Sequence, residues 1–311
     1  MEKDKLHDVV MIGAGPASLT AAIYTTREEI ETVLFEKSIV GGLAATTDWI
    51  DNYPGYAKGV EGIRLAEELR GQAERFGTKI EFGEVSDIAK NGNEVILDTD
   101  SGKVRAKAVL IATGSNHRKL EVPGENEYYA RGVHYCATCD GAFYKGKNIA
   151  VVGGGNSGVQ EAIFLTRFAD HIDLLVRSEL KASQVLQNKL TELKDKITVH
   201  TNTLVESISG NKDLVDSVVI KNKLNMQQST LNVDGIFIFI GLKPNTSFIK
   251  NSGIQLDEQG LIKTDNNLQT SIEGVFAAGD VRSGATMQIA SAVGDGATAA
   301  LKIREYIESL E

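Results

Sequence analysis

The sequence predicts an α/β protein with two parallel-sheet domains, and three observations lead to this prediction. An apolar run at residues 9–12 ends in a glycine-rich turn that opens a helical stretch. The same order of strand, glycine-rich turn and helix recurs from residue 148. Other apolar runs also end in small residues, as buried parallel strands do where a ligand approaches the backbone. Together they predict two Rossmann-like nucleotide-binding domains of the three-layer ββα sandwich type, the second inserted into the first.

Length and charge limit the class of protein. The chain has 311 residues, enough for two domains of ordinary size. Its formal net charge of −9 argues against nucleic acid or an anionic membrane surface as a partner. Residues 1–5 lack the apolar core of a signal peptide, and the longest apolar run, residues 235–240, is too short to span a bilayer. We therefore expect a soluble cytoplasmic protein, in which a lasting disulfide is more often catalytic than structural.

The first copy carries the motif GAGPAS at residues 13–18, in which Ser18 takes the place of the last glycine of a G-x-G-x-x-G fingerprint. A second strand, residues 32–35, ends at Glu36, roughly twenty residues past the fingerprint, where an acid can accept from a ribose hydroxyl pair. The fingerprint alone is a weak signal. Its strand, helix and acid together predict dinucleotide binding rather than a plain glycine turn.

The second copy has a strand at residues 148–152, the turn GGGNSG at residues 153–158, a helix over residues 159–168 and a further strand at residues 174–176. Two such units in one chain suggest one tightly held redox cofactor and one exchangeable or vestigial site. The alternative is an old duplication whose second site binds nothing.

Two further strands indicate that the first domain is interrupted. One apolar run ends in Ala112-Thr113-Gly114 and another, late in the chain, in Gly279-Asp280. Small residues permit close backbone approach, and the acid can hold a polyol hydroxyl, although either segment alone could be core packing. We expect a discontinuous first domain of residues 1–116 and 247–311, with residues 117–246 inserted as the second domain.

The two cysteines of the chain, Cys136 and Cys139, lie three residues apart between the two fingerprints and are followed by Asp140. This spacing lets two thiols close a small, easily reduced ring. Two cysteines with His134 nearby do not make up a four-sulfur zinc site, and the five histidines show no metal-binding spacing, so we expect no metal. A half metal site or a pair of inert thiols is the alternative to a redox-active dithiol.

With these motifs, the chain resembles the low-molecular-weight thioredoxin reductases over essentially its whole length. It also has NYPG at residues 52–55 and Gln288 after the Gly279-Asp280 pair, and the motif CATCDG at residues 136–141 is the most specific match. The resemblance implies a homodimer that contains FAD. In such a protein the reduced flavin passes two electrons to the disulfide, which then reduces thioredoxin.

The resemblance also implies roles for single residues. Cys139 would be the sulfur next to the flavin, Cys136 the outer thiolate that attacks the partner disulfide, and Asp140 the acid or base for the thiol proton; the alternative for Asp140 is a turn cap. Asp280 would accept from the ribityl chain, and a helix starting near Gln288 would direct its dipole at the flavin. The implied FAD contacts are Gly13, Gly15, Pro16, Ala17, Glu36, Lys37, Gly42, Leu43, Asn52, Val85, Ala112, Gly114, Gly279, Asp280, Gln288 and Ile289.

The resemblance weakens where the 2′-phosphate of NADPH would bind. Members that use NADPH usually have a His-Arg-Arg triplet and a further arginine after the second strand of the inserted domain. Here the basic residues are Arg177 and Lys181, with Glu179 between them. One arginine and a mobile lysine do not reproduce the bidentate hydrogen bonds of paired guanidinium groups. We therefore expect reduced ferredoxin as the electron donor, as in the ferredoxin-dependent flavin thioredoxin reductases.

Other functions fit the same motifs. An ordinary NADPH- or NADH-dependent reductase would keep the second nucleotide site in use, and a deazaflavin or second flavin could occupy that site instead. A dithiol oxidase would run the chemistry in reverse, from a small dithiol to oxygen. A non-enzymatic flavoprotein is disfavoured because both the dithiol and its acid are present.

Overall fold

The computed structural model describes residues 5–47, 49–50 and 52–310, which separate into two compact units. The first unit contains the described residues up to Asn116 and from Lys243 onward, and the second unit is His117–Leu242. The expectation about residues 1–5 lies outside the described residues except at Lys5.

The strands range in length from two residues in β8 to ten in β6. In chain order they are β1 Leu6–Ile12, β2 Thr32–Glu36, β3 Lys79–Phe82, β4 Val85–Asn91, β5 Glu94–Thr99, β6 Gly102–Ile111, β7 Ser115–His117, β8 Val133–His134, β9 Asn148–Val152, β10 His171–Leu175, β11 Ile197–His200, β12 Thr203–Asn211, β13 Leu214–Asn222, β14 Gln228–Asn232, β15 Gly235–Ile238, β16 Leu242–Pro244 and β17 Val275–Ala277.

The helices range from one turn to more than five. They are α1 Pro16–Arg27, α2 Gly42–Ala45, α3 Gly62–Arg75, α4 Ala137–Asp140, α5 Asn156–Leu165, α6 Gln184–Glu192 and α7 Ile289–Glu308, with 3-10 turns at Gly141–Tyr144, Ser247–Ile249 and Gly279–Val281. In the described part of the chain, none of these helices has both the length and the apolar character that a bilayer crossing requires.

The first unit is built on a sheet with the strand order β3-β2-β1-β6-β5-β4, in which β17 also pairs with β6. Strand β1 lies parallel to both β2 and β6, so that Val10 is opposite Val33 and Val109. Strand β1 has other elements packed on both of its faces, and its residues 9–12 are all buried and apolar. Strands β4 and β5 extend the sheet in antiparallel fashion.

The two faces of this sheet carry different layers. Val9 and Met11 pack into a core with side chains of α1, α3 and α7. Val10 and Ile12 point to the opposite face and join a core with residues of β4 and β5 such as Ile88. This alternation follows from the two-residue period of a strand.

The second unit repeats the plan. Its sheet has the order β11-β10-β9-β15-β8 with all pairs parallel. Side chains of α5 and α6, such as Val159 and Leu190, cover one face. The antiparallel sheet β12-β13-β14 contributes Ile208 and Val218 to the core on the other. The predicted α/β class with two Rossmann-like parallel sheets is confirmed.

Several element boundaries differ from the sequence prediction; β1, for example, starts at Leu6, three residues before the predicted run 9–12. Helix α5 begins at Asn156 and ends at Leu165, three residues before the predicted bounds at both ends, because the chain enters the helix directly after Gly155, whose carbonyl accepts from the Val159 N–H. Strand β10 starts at His171 and ends before Val176. Its polar residues alternate with buried ones, so its first half does not form the continuous apolar run on which the prediction was based.

Candidate functional sites in the two units

The glycine-rich turn of the first unit joins β1 to α1. Gly13 has a φ of +92°, and a Cβ there would lie 2.7 Å from the carbonyl oxygen of Ala112, so a larger residue does not fit. Ser18, in the place of a third glycine, donates its hydroxyl proton to the Gly13 carbonyl. Beside Gly15 the space is open within 4 Å. In the described chain no side chain caps α1, which leaves its first-turn N–H groups for an anionic ligand.

Glu36 ends β2 and is 9% exposed. Its Oε2 accepts a hydrogen bond from the Ala14 N–H and its Oε1 accepts one from the Ser38 N–H, both at 2.8 Å. Each carboxylate oxygen has two lone pairs, so acceptor capacity for a ribose hydroxyl remains. Glu36 therefore fixes the fingerprint turn as well as offering an acceptor beside it.

Asp280 follows β17 in the 3-10 turn Gly279–Val281. Its Oδ1 is buried and has no hydrogen-bond partner among the described residues. Burial and the nearby carboxylate of Asp295 raise the pKa of Asp280 to about 6. Buried acceptors are rarely left unpaired in folded proteins, and a ligand hydroxyl would supply the missing donor.

Asp295, on α7, holds the backbone beside Asp280. It accepts from the Gly279 N–H at 3.0 Å and from Arg282 Nε and Nη2 at 2.6 and 2.8 Å. Arg282 thereby compensates the charge of one of two neighbouring acids, and the orientation of the turn is fixed by a bidentate pair.

The helix predicted near Gln288 begins at Ile289 as α7, and no side chain caps it in the described chain. Gln288 Oε1 accepts from Asn52 Nδ2 at 3.1 Å, which brings two of the expected FAD contacts together. The positive end of α7 is therefore available to the negative charge that a flavin gains on reduction.

The other expected FAD contacts differ in environment. Lys37 is exposed and pairs with Glu84 at 3.1 Å. Val85 turns its side chain into the core, so only its backbone could meet a ligand. Gly42 lies against the fingerprint, since a Cβ there would be 3.6 Å from the Gly15 Cα. Buried or half-buried around the strand ends are Pro16, Ala17, Ala112, Gly114, Gly279 and Ile289, while Leu43 is exposed.

The first unit fits a flavin dinucleotide. It has an uncapped helix end beside an open glycine for the pyrophosphate, an acid for the ribose and a buried carboxylate oxygen in need of a donor. All of these groups belong to the first unit.

In the second unit, Cys136 and Cys139 form a disulfide with a Cα separation of 5.3 Å. Cys136 precedes α4, and its Sγ accepts a hydrogen bond from the Cys139 N–H at 3.2 Å. Both cysteines are half-buried and Thr138 between them is exposed. The sulfur expected to attack the partner disulfide therefore lies against a backbone donor.

The carboxylate of Asp140 meets a side chain from β8. His134 Nδ1 lies 3.1 Å from Asp140 Oδ2, and His134 Nε2 lies 2.7 Å from the hydroxyl of Tyr144. The imidazole is 8% exposed and stacks on Phe237 with ring centroids 5.0 Å apart. Three polar side chains are therefore linked in a row, of which His134 and Tyr144 are buried and the half-buried Asp140 directly follows Cys139.

The second fingerprint has the geometry of a nucleotide turn. A Cβ on Gly158 would lie 2.5 Å from the Gly153 carbonyl oxygen, so glycine allows α5 to pack closely on β9. Beyond β10, Arg177, Glu179 and Lys181 are all exposed. The turn is present, and the segment 177–181 after β10 carries Arg177 and Lys181 with Glu179 between them.

The sequence pointed to Cys136, Cys139 and Asp140 but assigned no role to His134, Tyr144, Arg282 or Asp295. One signal was available for His134, because residues two apart on an extended segment share a side, and His134 precedes Cys136 by two. Arg282 lies in the loop before α7 and Asp295 lies within that helix. No periodic sequence pattern links two such positions.

Comparison with known proteins places the chain among redox enzymes. Residues 7–296 match the family described as Pyridine nucleotide-disulphide oxidoreductase. The chain is 38% identical over 312 residues to the thioredoxin reductase of Bacillus subtilis (strain 168), covering 100% of this chain and 98% of that protein. It is 39% identical over 310 residues to the Listeria innocua thioredoxin reductase, covering 99% and 96%. The crystal structure of thioredoxin reductase from Streptococcus pyogenes superposes with a TM-score of 0.92 at 40% identity, covering 98% and 99%.

Proposed function

Since the chain belongs to the pyridine nucleotide-disulphide oxidoreductases, as a low-molecular-weight thioredoxin reductase that uses FAD, we propose that it reduces thioredoxin through Cys136 and Cys139. The observation that carries the proposal is the disulfide between these two residues, half-buried at the start of α4 with Asp140 directly after it. The disulfide is the site at which electrons leave the protein.

The exchange converts the two thiols of this protein and the disulfide of thioredoxin into a disulfide in this protein and two thiols in thioredoxin. The Cys136 thiolate attacks one sulfur of the thioredoxin disulfide, and a mixed disulfide forms as the other thioredoxin sulfur leaves as a thiolate. Cys139 then loses its proton to Asp140 and attacks Cys136 Sγ, which closes the protein disulfide and releases the second thioredoxin sulfur. Asp140 returns the proton to a departing thiolate.

FAD, when bound, supplies the two electrons that reopen the disulfide. We assign its site to residues 1–116 and 247–311, with Gly13, Gly15, Glu36 and Asp280 as the main contacts. In this assignment the α1 N-terminus faces the pyrophosphate, Glu36 accepts from the ribose, and Asp280 Oδ1 accepts from the ribityl chain.

For the electron donor we propose reduced ferredoxin rather than NADPH. Arg177 and Lys181 are the exposed cations at the place of the expected phosphate clamp, and the carboxylate of Glu179 opposes an anionic ligand there. NADH is the second candidate, because the fingerprint turn with Gly158 keeps the geometry of a nucleotide site and NADH lacks the 2′-phosphate.

The function is tested by single-turnover exchange. The holoenzyme, reduced anaerobically with dithionite and freed of excess, is mixed with oxidised thioredoxin and the new thioredoxin thiols are counted. We expect one thioredoxin disulfide reduced per protein disulfide re-formed, and no reaction with a thioredoxin whose two cysteines are serines. Rapid oxygen uptake with small dithiols, without thioredoxin reduction, would instead identify a dithiol oxidase.

A further inference from the structure

We propose that His134 is a positioning residue for Asp140 in thiol–disulfide exchange, and that Tyr144 helps to hold the imidazole in the form that does this. The inference rests on the proposed function, because it assigns a role in the same dithiol reaction. Among the described residues, His134 makes its polar contacts with Asp140 and Tyr144, so its role is exerted through the Asp140 carboxylate.

The orientation of the imidazole is held from several sides. Its two nitrogens face Asp140 Oδ2 at 3.1 Å and the Tyr144 hydroxyl at 2.7 Å. Its ring stacks on Phe237 of β15, while the Tyr144 ring meets it edge-on at 5.3 Å. Because the side chain is almost fully buried, it has no room to turn away from Asp140.

Asp140 decides which imidazole nitrogen carries the proton. A carboxylate oxygen only accepts, so the 3.1 Å contact with Asp140 Oδ2 requires the proton on Nδ1, and Nε2 then accepts from the Tyr144 hydroxyl. Burial, together with the carboxylates of Asp140 and Asp234, raises the pKa of Tyr144, so its phenol keeps the proton that it donates. A neutral imidazole that accepts at Nε2 has its proton on Nδ1. Nδ1 then donates to Asp140 Oδ2.

This arrangement leaves one carboxylate oxygen for the reaction. With Asp140 Oδ2 engaged by His134 Nδ1–H, Oδ1 remains to take the proton of the Cys139 thiol and to give it to the departing thioredoxin thiolate. The proton moves from sulfur to oxygen and back to sulfur, and His134 keeps its own proton throughout. An acid whose orientation is fixed in this way needs no reorganisation during the exchange.

The ionisable groups around this chain of bonds come from four places. Asp140 belongs to α4, Tyr144 to the 3-10 turn after it, and Asp234 precedes β15. Lys147 Nζ lies 5.3 Å from the centroid of the Tyr144 ring. Among these, Asp140 and Tyr144 are the two that contact His134 directly.

The reduced holoenzyme is mixed with the aromatic disulfide 5,5′-dithiobis(2-nitrobenzoate) between pH 6 and 9. The test is the rate at which the second thionitrobenzoate is released, because in that step Cys139 loses its proton to Asp140 and attacks the mixed disulfide on Cys136. His134→Leu should lower the rate about tenfold, a fraction of the 10²- to 10⁴-fold that a positioned acid or base contributes. It should also change the pH profile. His134→Asn, which keeps an N–H near the Nδ1 position, should recover most of the rate. His200→Asn is the matched control, because His200 also bonds an aspartate, Asp173, at 2.7 Å.

A double-mutant cycle separates positioning from a structural role. In an Asp140→Asn background, His134→Leu should have no further effect on the rate, since the group it positions has been removed. An equal loss in both backgrounds, or an unchanged pH profile in His134→Leu, would overturn the inference. Flavin content and thermal unfolding of each variant show that it is folded.

The tautomer is measured on the unaltered protein by ¹⁵N NMR of labelled histidine, with His134→Asn identifying the signal. Protonated Nδ1 and unprotonated Nε2 are expected, and the reverse tautomer overturns the inference without any variant. If the protein reacts with the aromatic disulfide but not with thioredoxin, the proposed function fails while the role of His134 is still decided by the rates and the tautomer.

Discussion

Thr113 and Asn245 hold each other through two reciprocal hydrogen bonds. Thr113 Oγ1 donates to the Asn245 carbonyl and Asn245 Nδ2 donates to the Thr113 carbonyl, each at 2.8 Å. The Asn245 N–H also donates to the Gly114 carbonyl at 3.0 Å. These bonds join the two separate stretches of the first unit beside the strand end where Gly114 was expected to approach a cofactor.

We expect Asn245→Ala to lower the free energy of unfolding by about 1–3 kcal/mol, because it leaves the half-buried Thr113 carbonyl without its donor and Asn116 Nδ2 without its acceptor. Denaturant unfolding of the holoenzyme measures the change. Asn251→Ala, at an exposed turn position of the same unit, is the control and should shift stability by less than about 0.5 kcal/mol. Equal stability of the two variants would contradict the prediction.

The pKa of Asp280, raised to about 6 by burial and by Asp295, makes the stability of the apoprotein depend on pH. Between the ordinary value of 3.8 and about 6 the folded state holds a proton that the unfolded state has lost, so unfolding becomes easier as pH rises through this window. Above it, Asp280→Asn should raise the unfolding free energy by up to about 3 kcal/mol. Below pH 4 it should change little.

The same substitution should act in the opposite direction on the cofactor. An amide oxygen is a weaker acceptor than a carboxylate, so FAD should bind about fivefold more weakly to Asp280→Asn. Fluorescence titration of the apoprotein with FAD measures the affinity. Asp265→Asn, in an exposed turn of the same unit, should leave it unchanged. Tighter FAD binding by Asp280→Asn would show that Oδ1 does not meet a ligand donor.

The two cysteines should behave differently as single variants. Cys139→Ser leaves the outer thiol without its resolving partner, so it should accumulate a stable mixed disulfide with thioredoxin. Cys136→Ser should form none at a comparable rate. Non-reducing electrophoresis and intact-mass measurement distinguish the two. The reverse pattern would exchange the roles of Cys136 and Cys139.

Stopped-flow bleaching of the flavin band should be much faster with reduced ferredoxin than with NADPH. With the phosphate clamp reduced to Arg177 and Lys181, as we propose, two or three charge-assisted contacts, each worth about 1.5–3 kcal/mol, are missing, so NADPH should bind several orders of magnitude more weakly than at a complete clamp. Rapid reduction of the flavin by micromolar NADPH would show that the protein is an ordinary NADPH-dependent enzyme. Reduction by NADH would indicate that the second fingerprint is in use.

A gain-of-function variant examines the same site. Glu179→Arg should speed reduction by NADPH about tenfold while leaving NADH unchanged, because only NADPH has the 2′-phosphate that the new guanidinium would bind. Glu192→Arg, at the exposed end of α6, is the charge-matched control. An equal gain with both nucleotides would mean that the effect comes from net charge and not from the clamp.

The parts of the fold that the sequence predicted well are those with a local cause. Strands β1 and β9 are buried on both faces and therefore apolar, and their glycine-rich turns mark where each helix begins. The boundaries of α5 and β10 were wrong because the helix starts where the glycine turn ends and the strand alternates polar with buried residues, so apolar runs do not mark their ends. The Asp140–His134–Tyr144 chain depends on the register of β8 beside β15, which no short motif encodes.

The division of the chain bears on the order in which the protein can fold during synthesis. The second unit, His117–Leu242, is one continuous stretch and has all its strands once that stretch has been made. The first unit cannot be completed until the C-terminal part of the chain has been made, because β17 pairs with β6 and α7 packs on α1. Ribosome-bound chains that end before residue 275 should therefore contain a folded second unit. In the sheet of their first unit, the part of β6 that pairs with β17 is still accessible to chaperones.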